Sequence, residues 1–320
     1  MMAGTTSGAD ATTPTQFSRA AWLAILKRVW SANDRQNLSL MAAGVAFYAF
    51  LSFVPLLAAL VMSYGLVADP AVVAQHMRGI IDLVPAEAAK LIYEQLIALT
   101  TAASGRKGLG LLIALGVSIY GASRAAGAII SALNVIYEQP NRQSLLGGFL
   151  MSIALIIGAV LTGIVGLAAA TMLGYANDLL ASWGRPAVLA VQLLTWAVAG
   201  SLCCGAIAAM YRFAPNRAHA RWRWLSVGSI TGTILWLAAT LGFGLYAGNF
   251  ANYDVTYGSL SAVVVLLMWL FVSAYAILIG GLINAEAERQ TAIDSTTGPP
   301  LPMGERGATV ADMSAARPQG

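Results

Sequence analysis

Charge is scarce in this chain. Of its 320 residues only 10% are Asp, Glu, Lys or Arg, against about 25% in soluble domains, so a domain of this size cannot be wrapped in a solvated surface. Histidine and cysteine are rarer still, at two each. His76 and His219 fall in different loops, and Cys203 and Cys204 are neighbours on one helical run whose side chains point apart, so neither a metal site nor an ordinary disulfide is expected. No phosphate-cradling glycine loop, serine elbow or HExxH pair occurs, and no cofactor is expected. These absences leave the common enzyme chemistries without residues to perform them, and the chain reads as a non-enzyme.

What is plentiful is apolar surface: 58% of residues are hydrophobic and the mean hydropathy is +0.71. Six blocks reach the roughly 20 apolar residues needed to cross a bilayer: Leu38 to Val67, Leu109 to about Ile130, Leu145 to Leu173, Ala187 to Tyr211, Trp224 to Tyr246, and Leu260 to Ile283. A run such as Ala262 to Phe271 lacks the alternation a membrane β-barrel requires. The expected fold is therefore all-α, an integral membrane bundle of six transmembrane helices. The first and third blocks, about 45 Å long as helices, exceed a ~30 Å hydrocarbon core. Pro55 inside the first removes a backbone donor and predicts a kink near Ser52 to Pro55.

Basic residues set the orientation. With both termini cytoplasmic, the outer side holds only Arg78, Lys90, Arg106, Lys107 and Arg185 of the eighteen Lys and Arg, as the positive-inside rule favours. The expected organisation has three parts. Residues 1–36 form a polar N-terminal tail plus an amphipathic interfacial helix, with Trp22, Ile25, Leu26, Val29 and Trp30 at helical spacing beside Arg19, Lys27 and Arg28; a helix packed on the bundle is the alternative. Residues 37–289 form the N-in/C-in transmembrane domain, whose first outer loop, 68–108, carries amphipathic helices. Residues 290–320, rich in Ser, Thr, Gly and Pro, read as a disordered cytoplasmic tail.

All fourteen acidic residues lie in loops, at span ends or in tails, so no midplane proton relay is visible. Arg124 is the one charge expected inside a span, either snorkelling or meeting an anionic headgroup. Ser123, Gly127 and Ser131, Gly228 with Gly232, and Gly244 with Gly248 recur every four positions, a spacing that serves tight internal packing or a homo-oligomer equally well. The Arg- and aromatic-rich stretch Tyr211 to Trp224 imitates a nucleic-acid surface. It also connects two spans at the inner side, where Arg and Trp are favoured. Nucleic acid is not expected as a partner; membrane lipids are.

The most specific writing is the polar, aromatic stretch Asn249-Phe-Ala-Asn-Tyr-Asp-Val-Thr-Tyr-Gly-Ser259, an outer hairpin between the last two spans. There Tyr253 and Tyr257 suit the aromatic belt, Gly258 a tight entry into the last span, and Asp254 its cap. Together with Ala42 to Leu57, Ala122-Ser-Arg124, Ala132-Leu-Asn134, Tyr211-Arg-Phe-Ala-Pro-Asn216 and Asn284-Ala-Glu286, it resembles the YihY/virulence factor BrkB family of bacterial inner-membrane proteins, once labelled ribonuclease BN. The likeness runs from about Asn37 to Arg289. One departure is Gly281-Leu-Ile-Asn284, which lacks the glutamate usual before that asparagine. The resemblance implies a multi-pass protein of the bacterial inner (plasma) membrane with a cell-envelope role. The leading expectation is export or flipping of an amphipathic anionic lipid-like molecule along a polar path of Ser52, Arg124, Asn134 and Asn284. The alternative is an envelope scaffold or assembly factor that organises envelope proteins through its outer loop 68–108 and the hairpin of Asn249, Tyr253, Asp254, Tyr257 and Gly258. Ribonuclease activity is not expected, since no carboxylate or histidine cluster can be assembled.

Overall fold

Apolar segments that must satisfy every backbone N–H and C=O without water do so as helices, and helices are what the computed structural model contains. It describes residues 8–65, 107–140, 145–180, 184–249 and 261–315. Among the described residues a 3-10 turn at Pro14–Gln16 is followed by seven helices: α1 (Arg19–Arg35), α2 (Leu38–Gly65), α3 (Lys107–Ile136), α4 (Leu145–Leu180), α5 (Arg185–Phe213), α6 (Trp222–Asn249) and α7 (Ser261–Glu288). Among the described residues there is no strand, only an isolated antiparallel bridge between Ala220 and Thr296. Five helices among the described residues are long and apolar enough to cross a membrane, or six when the bent pair α1 and α2 counts as one span. The fold is all-α, as composition requires.

Local sequence sets the helix ends. Ser18 caps α1 by accepting the Ala21 N–H on its hydroxyl, and α1 gives way to α2 at Asn37, whose φ of 53° is tolerated by asparagine. The two helices meet at 62°. Gly184, at φ 88°, and Pro186 open α5, the glycine supplying a conformation other residues resist and the proline a first-turn position that needs no donor. α2 runs unbroken through Pro55.

The helices divide into two compact units. One comprises Met1–Met41, Ile129–Trp236 and Tyr275–Gly320, and holds α1, the end of α3, α4, α5 and the adjoining halves of α6 and α7. Its core contains the largest fully buried side chains: Ile25, Leu38, Leu133, Ile136, Tyr137, Tyr211, Trp224, Leu225, Leu278 and Leu282. Each buried aliphatic or aromatic group stabilises the unit by about 1.5–3 kcal/mol relative to exposure in water. The helices approach closely because Gly228, Gly232 and Gly280 have no side chain: a Cβ on Gly280 would meet Gly228 O and the Tyr211 hydroxyl, each at 2.5 Å. α4 and α5 pair with each other, yet Leu150, Ile157, Leu161, Leu193, Leu194 and Trp196 face outward, the condition of helices whose solvent is lipid.

The second unit comprises Ala42–Ala128 and Leu237–Ala274. Ser52 of α2 presses against Gly121 of α3, where an added Cβ would lie 2.8 Å from the Ser52 backbone nitrogen. Trp269 of α7 donates to the Thr240 hydroxyl of α6 at 3.4 Å. The outer loop 68–108 lies outside the described residues except for its last two positions, where α3 begins two residues ahead of the block read from sequence.

The disordered tail expected beyond residue 290 is corrected by the structure. Residues 291–315 are packed as a strap, with Ala292, Ala308, Val310 and Ala311 buried. Thr291 donates its hydroxyl to the carbonyls of Ala9 and Ala11, and the Arg221 and Ala218 N–H groups bond the carbonyls of Ser295 and Gly307. Ser, Thr and Gly, which on composition suggest disorder, here supply turn geometry and hydrogen bonds. The buried guanidinium of Arg306 adds bonds to the carbonyls of Leu301, Ala311 and Ala292.

Candidate functional site

Arg124 stands midway along its candidate span, twelve residues from each end of Leu112–Ile136, or about 18 Å of helix either way. Its side chain is exposed. The guanidinium carbon sits 5.3 Å from the centre of the Tyr48 ring on α2, a cation–π contact that holds the charge without neutralising it. Tyr120, one turn earlier on α3, is also exposed. Ser52, in the same unit, does not offer a free hydroxyl: it donates to the Ala49 carbonyl of its own helix at 2.8 Å.

Asn134 and Asn284 belong to the other unit and are fully engaged. Asn134 accepts the Asn216 N–H at 2.7 Å, fixing the loop that follows α5. Asn284 accepts the Gly228 N–H at 2.7 Å and donates to the Leu225 carbonyl at 3.1 Å. It thereby ties α7 to the first turns of α6. Both asparagines are buried: Asn134 clamps a loop to α3, and Asn284 clamps α6 to α7. Of the hairpin residues only Asn249 is described, as the last residue of α6; Tyr253, Asp254, Tyr257 and Gly258 lie outside the described residues.

The strongest electrostatics are in this same unit. Arg217 meets Glu288 in a two-pronged pair, Nη1 to Oε1 at 3.2 Å and Nη2 to Oε2 at 2.7 Å, with both side chains almost wholly buried, at 2% and 0% exposure. Ser295 of the strap donates to the same carboxylate at 2.9 Å, and the guanidinium lies 4.8 Å from the centre of the Tyr137 ring. Burial disfavours the Arg217 charge, but Glu288 outweighs it and holds the guanidinium more basic than usual. Burial, reinforced by the Glu288 charge, pushes the Tyr137 phenol far above its ordinary range, so it stays neutral. Around this pair, Arg28 bonds Glu286 at 2.8 Å and Gln290 at 2.7 Å, and Arg289 pairs with Glu138 at 2.8 Å. Asp294 accepts the N–H groups of Thr296 and Leu301, each at 2.9 Å, and the Thr296 hydroxyl. Burial opposes its charge, yet these bonds hold its carboxyl below the usual range.

Sequence reasoning finds Arg124 as a lone charge in an apolar run. It misses Arg217, Glu286, Glu288, Arg28 and Arg306 as partners. The one available signal was two glutamates, Glu286 and Glu288, spaced two apart at the end of the last apolar block, where lipid alone would not retain them. Among the described residues no three His, Cys, Asp or Glu are grouped so as to hold a metal ion.

Long apolar helices with outward-facing hydrophobic side chains define a multi-pass α-helical membrane protein. The particular family is given by comparison: the chain matches the model described as Virulence factor BrkB over residues 29–302 and belongs to that family. YfkH of Bacillus subtilis (strain 168), whose name likens it to a ribonuclease, is 26% identical over 274 residues, covering 82% of this chain and 94% of its own length. A UPF0761 membrane protein of Psychromonas ingrahamii is 26% identical over 281 residues, 81% of this chain and 86% of the relative. Another UPF0761 membrane protein, from Rhodospirillum centenum, is 30% identical over 158 residues, 49% of this chain and 34% of its own. No solved structure matches the chain. The family resemblance and the plasma-membrane location read from sequence agree with these findings.

Proposed function

We propose that this protein moves an amphipathic, anionic, lipid-like molecule across the bacterial plasma membrane, with Arg124 meeting its headgroup. The observation that supports this reading is a cation exposed at mid-span. Placing a charge at the bilayer centre costs at least about 2.5–3.5 kcal/mol, and the Tyr48 ring offsets only part of that. A passing anion supplies the remainder. The side chains of Ser52, Asn134 and Asn284 are bonded to backbone groups, so the reading rests on Arg124. Both termini are taken as cytoplasmic, in keeping with the excess of Lys and Arg on that side.

The test is lipid flux in proteoliposomes carrying a fluorescent anionic lipid. Wild type should accelerate movement between leaflets, and Arg124→Ala should lower the rate about tenfold or more, while Arg124→Lys retains part of it. One lost charge contact of about 1.4 kcal/mol already gives a factor of ten. Equal rates in wild type, Arg124→Ala and protein-free liposomes would sink the proposal. That result would favour an envelope scaffold, a reading supported by the dense hydrogen bonding and ion pairing of the strap-bearing unit.

A further inference from the structure

The connection from α5 to α6 ends in Arg212-Phe213 on one side and Arg221-Trp222-Arg223 on the other. The candidate spans stop at Phe213 and resume at Trp222, so these residues sit at a bilayer surface whichever way the chain is inserted. A topological anchor needs only charge there, and this patch is more particular. The Arg212 guanidinium carbon lies 4.7 Å from the Trp222 ring centre and 5.5 Å from that of Phe213, with the two rings edge-on at 6.2 Å. The cation is therefore fixed in place. Among the described residues its guanidinium donates a single hydrogen bond, Nη1 to the Ala220 carbonyl at 2.9 Å, and its Nε is buried without an acceptor.

Charge balance points the same way. Arg28, Arg217, Arg289 and Arg306 each lie within 4.0 Å of a carboxylate. Arg212, Arg221 and Arg223 pair with no described carboxylate. Arg221 is committed to the carbonyls of Thr296 and Gly298, and Arg223 is exposed. Beside these cations the apolar rings of Phe213 and Trp222 stand 40% and 52% exposed. Uncompensated positive charge and bare aromatic surface at one membrane boundary fit a ligand that carries phosphate and hydrocarbon together.

We propose that the Arg212, Trp222 and Arg223 patch binds the headgroup phosphate of an anionic phospholipid, whose acyl chains cover Phe213 and Trp222. Guanidinium groups bind phosphate oxygens strongly and directionally, and indole rings settle where headgroup meets hydrocarbon. A zwitterionic lipid would bring its own ammonium to a site already positive, so the anionic lipid is selected. This site is independent of any transport by Arg124.

The test uses the full-length protein in phosphatidylcholine nanodiscs containing a minor fraction of either brominated phosphatidylglycerol or brominated phosphatidylcholine. Bromine quenches nearby tryptophans, and the difference between wild type and Trp222→Phe isolates the Trp222 contribution. The anionic lipid should quench Trp222 with about fivefold greater effectiveness or more, the enrichment expected of one basic residue beside anionic lipid. Arg212→Gln and Arg223→Gln should each reduce that preference, and the double variant should abolish it. Equal quenching by the two lipids in wild type, or an undiminished preference in the double variant, overturns the proposal. Should Arg212→Gln fail to fold, Arg223→Gln alone decides, because its side chain is exposed; an unchanged preference there overturns the site. Excess inorganic phosphate should leave the preference intact, and its loss would reassign the patch to free phosphate.

Discussion

Gly228 shows what one hydrogen atom in place of a methyl group accomplishes. A Cβ there would collide with the Gly280 carbonyl and the Asn284 amide, whereas Gly242 and Gly244 on the same helix have open space around them. Gly228→Ala should therefore destabilise the protein by about 1–3 kcal/mol or more through overpacking, read as a lowered midpoint of denaturation in detergent. Gly244→Ala should be neutral or slightly stabilising by the same measurement. The buried pair of Arg217 and Glu288 makes a second prediction at this scale. Glu288→Gln leaves a guanidinium charged and unpaired in the interior, a loss of about 3–5 kcal/mol. Replacing both partners at once, as Arg217→Met with Glu288→Leu, should recover most of that loss in the same denaturation assay. A double variant no better than the single one would mean that the pair contributes through Ser295 and Tyr137 rather than through charge.

Among the helices, α1 has two apolar sides. Ala21, Ile25, Val29 and Ala32 are buried, while Leu23, Leu26 and Trp30 form an exposed stripe with Lys27 at its edge. The sequence pattern offered an interfacial helix and a packed helix as alternatives, and the two faces accommodate both. An environment-sensitive dye on a cysteine at position 26 should report an apolar setting in vesicles and one at position 31 should report water, in a background lacking Cys203 and Cys204. Equal spectra at the two positions would remove the helix from the interface. The spans themselves were legible to within a few residues: the block Ala187 to Tyr211 became α5, Arg185–Phe213, and Trp224 to Tyr246 became α6, Trp222–Asn249. α3 runs on to Ile136, past the expected end at Ile130, because hydropathy sees lipid-facing length alone while protein covers Ala132, Leu133 and Asn134. The partnership of Arg217 with Glu288 was illegible for another reason. The two lie 71 positions apart, and no local pattern specifies which distant charge will meet which.

At the scale of the whole molecule, the strap makes one compact unit depend on the last part of the chain. Asp294 carries the clearest pH signature in that segment. Its folded pKa lies below the unfolded value, so its stabilisation is present above about pH 4 and fades as pH falls through the lower folded value. Hydrogen exchange of the Thr296 and Leu301 amides, corrected for intrinsic rates, should show protection dropping over that acid range. Asp294→Asn should lack the step and be less protected at neutral pH. The strap also joins residues far apart in synthesis. The Thr291 hydroxyl bonds the Ala9 carbonyl across 282 positions, which at about 5–20 residues per second is a wait of about 14–56 s on the ribosome. Through that interval the bonds from the Thr291 hydroxyl and the Ala292 N–H to the segment around Ala9 are not yet made. A ribosome stalled in the last span would release a chain whose apolar helices are complete but whose strap is missing, leaving the surfaces around Ala9 and Ala218 that it bonds uncovered.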